Sequence, residues 1–182
     1  MHQFSTSYIA DSVGLFGYYK KLAEGAMAQA SDEEFFRALD PESNSIAIVV
    51  KHLIGNMRSR WTGFLTSDGE KPWRTRDQEF EELGDLSRTQ LLEQWESAWG
   101  LVFAALEPLS DADLSHLITI RGEPHSVMQA INRQIAHYSY HVGQIVFLAK
   151  HFRSAAWKTL SVARNRSAEF NARVTRGEAS QR

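Results

Sequence analysis

The strongest constraint on the fold is a stretch in the second half of the chain where apolar residues recur every three or four positions. Its members are Met128, Ile131, Ile135, Tyr138, Val142, Ile145, Ala149 and Phe152. This spacing places them along one side of an α-helix, and such a side packs against other helices. At 1.5 Å per residue, the helix is roughly 40 Å long. The pattern therefore predicts a domain built from long helices.

Three further segments have the same helical period. The first runs from about Tyr8 to Gln29, and the second runs from the break at 41–45 to about Leu65. The third begins at a capping box, Ser87 to Gln90, and stops before Pro108. A second capping box at 31–34 predicts a short extra helix. We expect an all-α fold, a compact helix bundle with short additional helices.

The segments between these helices predict little regular structure. The stretch 66–85 carries turn signals and Pro72, which indicate a long loop. Leu117 to Ile120 alternates loosely, but no partner strand is evident, so at most a minor extended element is expected. Pro124 stands where the last long helix could begin, and a weaker helix is expected from Phe152 to about residue 170. We predict one domain over 1–170 and a frayed polar tail over 171–182.

Composition excludes several classes of protein. The chain has 182 residues, 43% of them hydrophobic, and a formal net charge of −2, which argues against nucleic acid as a partner. It has no cysteine, which excludes disulfides, a catalytic thiol and thiolate metal ligands. No apolar run reaches the roughly 18 residues of a membrane span. With no signal-peptide pattern at Met1–Phe4, we expect a cytoplasmic protein that does not bind membranes.

The histidines offer the clearest candidate chemistry. His137 and His141 are spaced four residues apart on the most regular helix, so their side chains are neighbours at one edge of the apolar side. Two imidazoles so placed can bind one cation. Gln134 and Gln144 project near them and are candidate hydrogen-bond partners. No glutamate lies between the two histidines, so the motif does not indicate a metalloprotease.

A third ligand must come from another part of the chain. His52, on the second long helix and off its apolar side, is the best candidate, with Asn56 and Arg60 near the same edge. His116 and His125 are the alternatives. His151 lies near a helix carboxyl end, where a structural role is expected, and His2 is expected to be unstructured.

Other side chains have two interpretations each. Arg60 lies beside the apolar side and needs either a carboxylate or an anionic ligand. The loop segment Trp73–Arg76 is either a lid or dimer contact, or a surface loop pinned by a buried Trp73. Tyr140 is a candidate proton donor.

Three blocks of the chain resemble one protein family. They are 51–61 (KHLIGNMRSRW), 67–74 (SDGEKPWR) and 129–144 (QAINRQIAHYSYHVGQ). The chain resembles the DinB-like (DinB/YfiT) superfamily of bacterial helix-bundle proteins, and an uncharacterised subfamily of small members in particular. The similarity covers about residues 5–155. It implies a four-helix bundle with a divalent metal bound at one end by His52, His137 and His141, and it implies a homodimer.

The resemblance also implies a chemistry. Several family members are thiol-dependent transferases or isomerases that use a low-molecular-weight thiol. We therefore expect a metal-dependent S-transferase or hydrolase-like enzyme that acts on a small molecule. Three histidines do not select among zinc, nickel, iron and manganese. The alternative is a non-catalytic binding protein with a structural or vestigial metal site, since no Asp or Glu lies within one helical turn of the three histidines.

Overall fold

The computed structural model of the protein describes residues 6–81 and 84–180, and this part of the chain is mostly helical. The predicted helical class is thereby confirmed. In chain order, the elements are α1 (Tyr8–Met27), α2 (Asp32–Phe36), α3 (Ile46–Trp61), α4 (Arg88–Leu106), β1 (Leu117–Ile120), β2 (Glu123–Ser126), α5 (Val127–Arg153) and α6 (Ser167–Thr175). Short 3₁₀ turns lie at Asp77–Phe80, Asp111–Ser115 and Ser154–Ala156.

Serine hydroxyls set the amino ends of the main helices. Each accepts a hydrogen bond from the backbone N–H three residues further on, and the caps are Ser7, Ser31, Ser45, Ser87 and Ser126. The capping boxes predicted at Ser31 and Ser87 are both present. Since such a cap satisfies otherwise unpaired N–H groups, the helix starts were readable from sequence. The carboxyl end of α3 was predicted less accurately: the helix ends at Trp61 rather than near Leu65.

The core lies between the four long helices. Helix α1 packs against α5 and α4, and α3 packs against both α4 and α5. Phe16 of α1 is fully buried at their centre, where its ring contacts Trp61, Trp99 and Tyr138 at centroid separations of 5.6 to 6.2 Å. The Trp61 indole N–H donates to the Tyr138 hydroxyl, 2.9 Å away. One aromatic cluster therefore joins α1, α3, α4 and α5.

A β-hairpin precedes α5. Strand β1 pairs antiparallel with β2, Thr119 lying opposite Pro124. The second strand and the position of Pro124 were predicted wrongly: proline has no N–H to donate, but the edge of a two-stranded sheet tolerates it. The turn places Arg121 at φ 57° and Gly122 at φ 76°, a left-handed pair typical of tight hairpins. The extended element is minor, as expected.

Two further expectations need correction. Met128 is 42% exposed, while its neighbour Val127 is fully buried, so the apolar side of α5 begins one residue earlier. The helix does not continue weakly to 170, because Ser154 adopts φ 45° and ends it. Helix α6 has no buried residue and includes part of the predicted tail.

The domain limits 1–170 stay a prediction, and His2 lies outside the described residues. None of the helices in the described segments is long and apolar enough to cross a bilayer.

The aromatic cluster predicts an unequal response to truncation of two phenylalanines. We expect Phe16→Ala to lower the free energy of unfolding by about 3–5 kcal/mol, because it opens a cavity among four helices. Phe147, on α5 and 61% exposed, is the matched control. Its replacement by alanine should change stability by less than about 0.5 kcal/mol. Urea unfolding of both variants measures the difference, and equal losses would contradict this packing.

Candidate metal centre

Two facing rows of polar side chains form a cavity between α3 and α5. A spacing of four residues aligns His52, Asn56 and Arg60 on α3, and the same spacing aligns Arg133, His137 and His141 on α5. All six line a cavity of about 790 Å³. The other lining residues come from α5 and from the segments around it: Asn44, Arg74, Arg76, Asp77, Phe80, Arg121, Gln134, Tyr140 and Gln144.

The three histidines converge on one point of this cavity. The Nε2 atom of His137 lies 3.2 Å from that of His52 and 3.1 Å from that of His141. The ligand atoms of the three rings all lie within 4.8 Å of one another. Imidazole nitrogens that bind one ion at about 2.0–2.1 Å lie roughly 3 Å apart, so this cluster is able to hold a metal ion.

In His52 and His141, the hydrogen bond made by Nδ1, on the side of the ring away from the shared point, determines which nitrogen carries the proton. His52 Nδ1 lies 2.8 Å from a carboxylate oxygen of Glu79, and His141 Nδ1 lies 2.7 Å from the side-chain oxygen of Gln144. Both oxygens accept, so both Nδ1 atoms donate, and each neutral ring keeps a lone pair on Nε2. Both Nε2 atoms lie against Nε2 of His137, which has at most one proton to donate to them. A cation at the shared point would satisfy all three Nε2 atoms, and the donor set therefore fits a divalent metal.

Burial keeps two of these rings neutral. The pKa of His137 is lowered to about 3. Burial is the largest cause, and the neighbouring His141 and His52 contribute to the same decrease. Burial likewise lowers the pKa of His141 to about 4, against the opposing effect of its hydrogen bond with Gln144. Since only the neutral ring has a lone pair to offer, both residues are ready to bind a cation at neutral pH.

A buried glutamate from the loop after α3 orients His52. Burial alone would raise the pKa of Glu79, but hydrogen bonds from His52 and Arg74 outweigh it and lower that pKa. Arg74 donates from Nε and from a terminal nitrogen to the two carboxylate oxygens, at 2.8 and 2.9 Å. The carboxylate lies directly against Gly55 of α3, where an added Cβ would come within 2.7 Å of Glu79 Cδ. Only glycine leaves room for this contact.

The same loop bears on the interpretations of Arg60 and Trp73 that the sequence left open. Arg60 is buried and donates to a carboxylate oxygen of Glu70 at 2.8 Å, so a structural ion pair is present. Trp73 does not pin the loop, because it is 55% exposed. Arg74 has the buried side chain of this segment, with only 2% of it exposed, and its partner Glu79 links the loop to α3 through His52. A charged anchor was not foreseen.

The structure brings the proposed site residues together. His52, His137 and His141 meet, and Asn56, Arg60, Gln134, Tyr140 and Gln144 all line their cavity. Of the alternative ligands, His116 directly precedes β1 and His125 lies in β2, and both are outside that lining. His151 lies in the last turn of α5 and packs on the rings of Phe147 and Phe152.

Glu79 was missed because it is distant in sequence from His52, the histidine that it contacts. The sequence feature that could have pointed to Glu79 is Gly55, a glycine in the middle of a regular helix. Glycine costs about 1 kcal/mol relative to alanine at such a position, which indicates a close approach by another group.

The lowered histidine pKa values predict an acid-sensitive metal-free protein. In the unfolded chain both imidazoles titrate near the ordinary value of 6.5, whereas in the folded chain they titrate at about 3 and about 4. Between those limits the unfolded state binds more protons, so the free energy of unfolding falls as pH falls from about 6.5 to about 4. Urea unfolding across this range measures the slope. His137→Gln/His141→Gln should flatten it, and an unchanged slope would contradict the pKa assignments.

The contact with Gly55 predicts that a normally favourable substitution is harmful. Gly55→Ala should displace Glu79, leave the buried Arg74 with only its longer contact to Glu70 at 3.5 Å, and lower the free energy of unfolding by about 1–3 kcal/mol. Gly100, in the middle of α4 with no neighbouring atom within 4 Å of an added Cβ, is the matched control. Gly100→Ala should raise stability by about 0.5–1 kcal/mol. A stabilising effect of both substitutions would exclude the close contact.

Comparison with known proteins places the chain in a family without assigning an activity. No curated protein and no solved structure matches it. A family described as "Protein of unknown function (DUF1572)" matches residues 3–166, which include every residue of the cavity. With most of its length matched, the chain belongs to this DUF1572 family.

Proposed function

We propose that the protein is a metal-dependent enzyme, a four-helix bundle of the DinB-like type that transfers a low-molecular-weight thiol to a small electrophilic substrate. The observation that supports this most directly is the convergence of three Nε2 atoms, 3.1 and 3.2 Å apart, at the wall of an open cavity. Purely structural histidines usually have hydrogen-bond partners on both sides of the ring. Here, two of the three rings are anchored on the far side, and their Nε2 lone pairs both face Nε2 of His137.

His52, His137 and His141 would hold the metal, which we place among zinc, nickel, iron and manganese. A divalent ion held by three neutral imidazoles keeps its full charge and an open position, and so favours the deprotonated form of a thiol or water. Glu79 and Gln144 would keep two of the rings in the orientation that ligation needs. Arg74 would hold Glu79 as an ionised carboxylate.

The cavity favours a thiol over water as the nucleophile. Among the described lining residues the only carboxylate is Asp77, whose side chain is 97% exposed, and Glu79 is occupied by Arg74 and His52. Hydrolysis needs a base to take a proton from water, while a thiol has an ordinary pKa of about 8.5 and loses its proton readily. Tyr140, 61% exposed at the cavity wall, is placed to give a proton to a leaving group. A hydrolase-like activity is the weaker form of this proposal.

Two further parts of the proposal, a homodimer and a bacterial origin, follow from the resemblance to DinB-like proteins. A cytoplasmic location is the expectation stated from the sequence. The competing function is a binding protein whose metal is structural or vestigial. What favours catalysis over it is the open cavity on the metal side of the histidines, because a structural site is closed by a fourth protein ligand.

The metal site is tested by elemental analysis of protein purified without a histidine tag. We expect one divalent ion per chain, lost in His52→Ala, in His137→Ala and in His141→Ala. His151→Ala is the matched control, because this residue lies on α5 away from the cavity and should keep the ion. Equal metal content in the unmodified protein and in a variant with all three histidines replaced by alanine would remove the proposal.

Catalysis is tested with the metal-loaded protein. Consumption of a small thiol in the presence of an electrophile should depend on the bound ion and fall by at least about a hundredfold in His141→Ala. Stoichiometric metal without such turnover, and without ester hydrolysis, would favour the binding protein instead.

A further inference from the structure

The cavity that contains the histidines is unusually rich in arginine. Five arginines line it: Arg60, Arg74, Arg76, Arg121 and Arg133. Three carboxylates, those of Glu70, Glu79 and Asp77, form ion pairs with four of them. These five arginines and three carboxylates together carry an excess of two positive charges before any metal is bound, although the whole chain has a net charge of −2. Positive charge is concentrated here against the overall balance.

Arg133 is the clearest member of this group. It is exposed, it lies one helical turn before His137 on the same side of α5, and it lines the cavity. Its side chain makes no hydrogen bond or ion pair within residues 6–81 and 84–180. Its guanidinium is therefore available, in a row with two candidate metal ligands, to bind an acidic group of a small molecule.

Arg121 is held at the cavity by its backbone. The carboxylate of Asp68 accepts hydrogen bonds from the N–H groups of Arg121 and Gly122, both at 2.8 Å. The Arg121 guanidinium contacts only one oxygen of Glu70, at 3.2 Å through Nε, and half of the side chain is exposed. Its terminal nitrogens are left for a ligand, and the hairpin turn that carries them is fixed.

Two buried polar atoms of the lining residues also lack a hydrogen-bond partner within the part of the chain that the structure describes. They are Nε of Arg60 and the side-chain oxygen of Gln134, on residues that are 5% and 2% exposed. Buried donors and acceptors without partners cost about 1–3 kcal/mol each, so proteins rarely keep them without a reason. Here one is a donor and the other an acceptor, and both belong to the wall of one cavity. Together they match a ligand that carries both an acidic group and a hydroxyl or amide.

We infer that this cavity recognises a small organic anion, with a carboxylate or phosphate group held by Arg133 and Arg121 while another part of the molecule reaches the three histidines. The inference rests on the proposed function for placing a substrate beside the histidines. The arginine site itself does not need the metal. A guanidinium binds either acidic group through paired N–H donors, so the two are distinguished by experiment.

The test is calorimetric titration of metal-free protein with succinate and with inorganic phosphate at low ionic strength. We expect binding of at least one anion, weakened by added salt. Arg133→Gln should raise the dissociation constant about tenfold, as for the loss of one charge-assisted hydrogen bond, and Arg121→Gln/Arg133→Gln should raise it further. Lys150→Gln is the matched control, because it removes one positive charge from an exposed position of α5 outside the cavity. This variant should bind like the unmodified protein.

The possible outcomes separate the acidic groups and the two proposals. Tighter binding of succinate identifies a carboxylate, and tighter binding of phosphate identifies a phosphate group. The inference is overturned if neither anion binds the metal-free protein, or if both arginine variants bind as tightly as Lys150→Gln. A protein that takes up no metal but binds anions through Arg133 would contradict the proposed function and leave this inference standing.

Discussion

The buried ion pair between Arg74 and Glu79 is the interaction on which the site depends. A carboxylate with 9% of its side chain exposed would be unfavourable without close partners, and here Arg74 and His52 supply three hydrogen bonds at 2.8 to 2.9 Å. The pair ties a loop to α3 and fixes the tautomer of a candidate ligand at the same time. Gly55 makes this possible, because it lets the carboxylate lie against the helix.

A second set of contacts connects the loop to the hairpin. Asp68 accepts backbone hydrogen bonds from Glu70 and from the hairpin turn, which lower its pKa to about 2. Glu70 in turn contacts Arg60, Arg74 and Arg121. The loop is therefore held at both ends by charged groups, and it closes one side of the cavity. The charged side chains of the loop are paired with groups in fixed positions, so the side of the cavity that the loop forms is ordered in the folded protein. The loop thus supplies much of the positive charge of the cavity.

Charge and protonation at the site are mutually consistent. Burial, together with neighbouring positive charge, lowers the pKa values of His137 and His141, so these two rings stay neutral and keep the lone pairs that a cation needs. The arginines themselves remain charged and favour anions. A cavity of this composition suits a molecule with an acidic group at one end and a nucleophilic or electrophilic group at the other. The histidines come from two helices that face each other, and the arginines come from these helices, the loop and the hairpin.

The sequence by itself determined the helices and the ligand candidates. Apolar periodicity and serine caps are local properties, so α1, α3, α4 and α5 could be located without coordinates. The spacing of His137 and His141 put two rings on one side of α5 for the same reason. The third histidine, His52, followed from its edge position and from family resemblance, and its convergence with the other two was an expectation only.

Only the tertiary structure decided how these pieces meet. Glu79 lies 27 positions from His52, and the ion pair that holds it replaced the expected anchor, Trp73. Strand β2 formed despite Pro124 because β1 and the Asp68 carboxylate hold the turn in place. The clustering of five arginines in one cavity likewise depends on the packing of the loop, the hairpin and two helices. Such contacts join residues distant along the chain, and no local pattern specifies which of many charged side chains will pair.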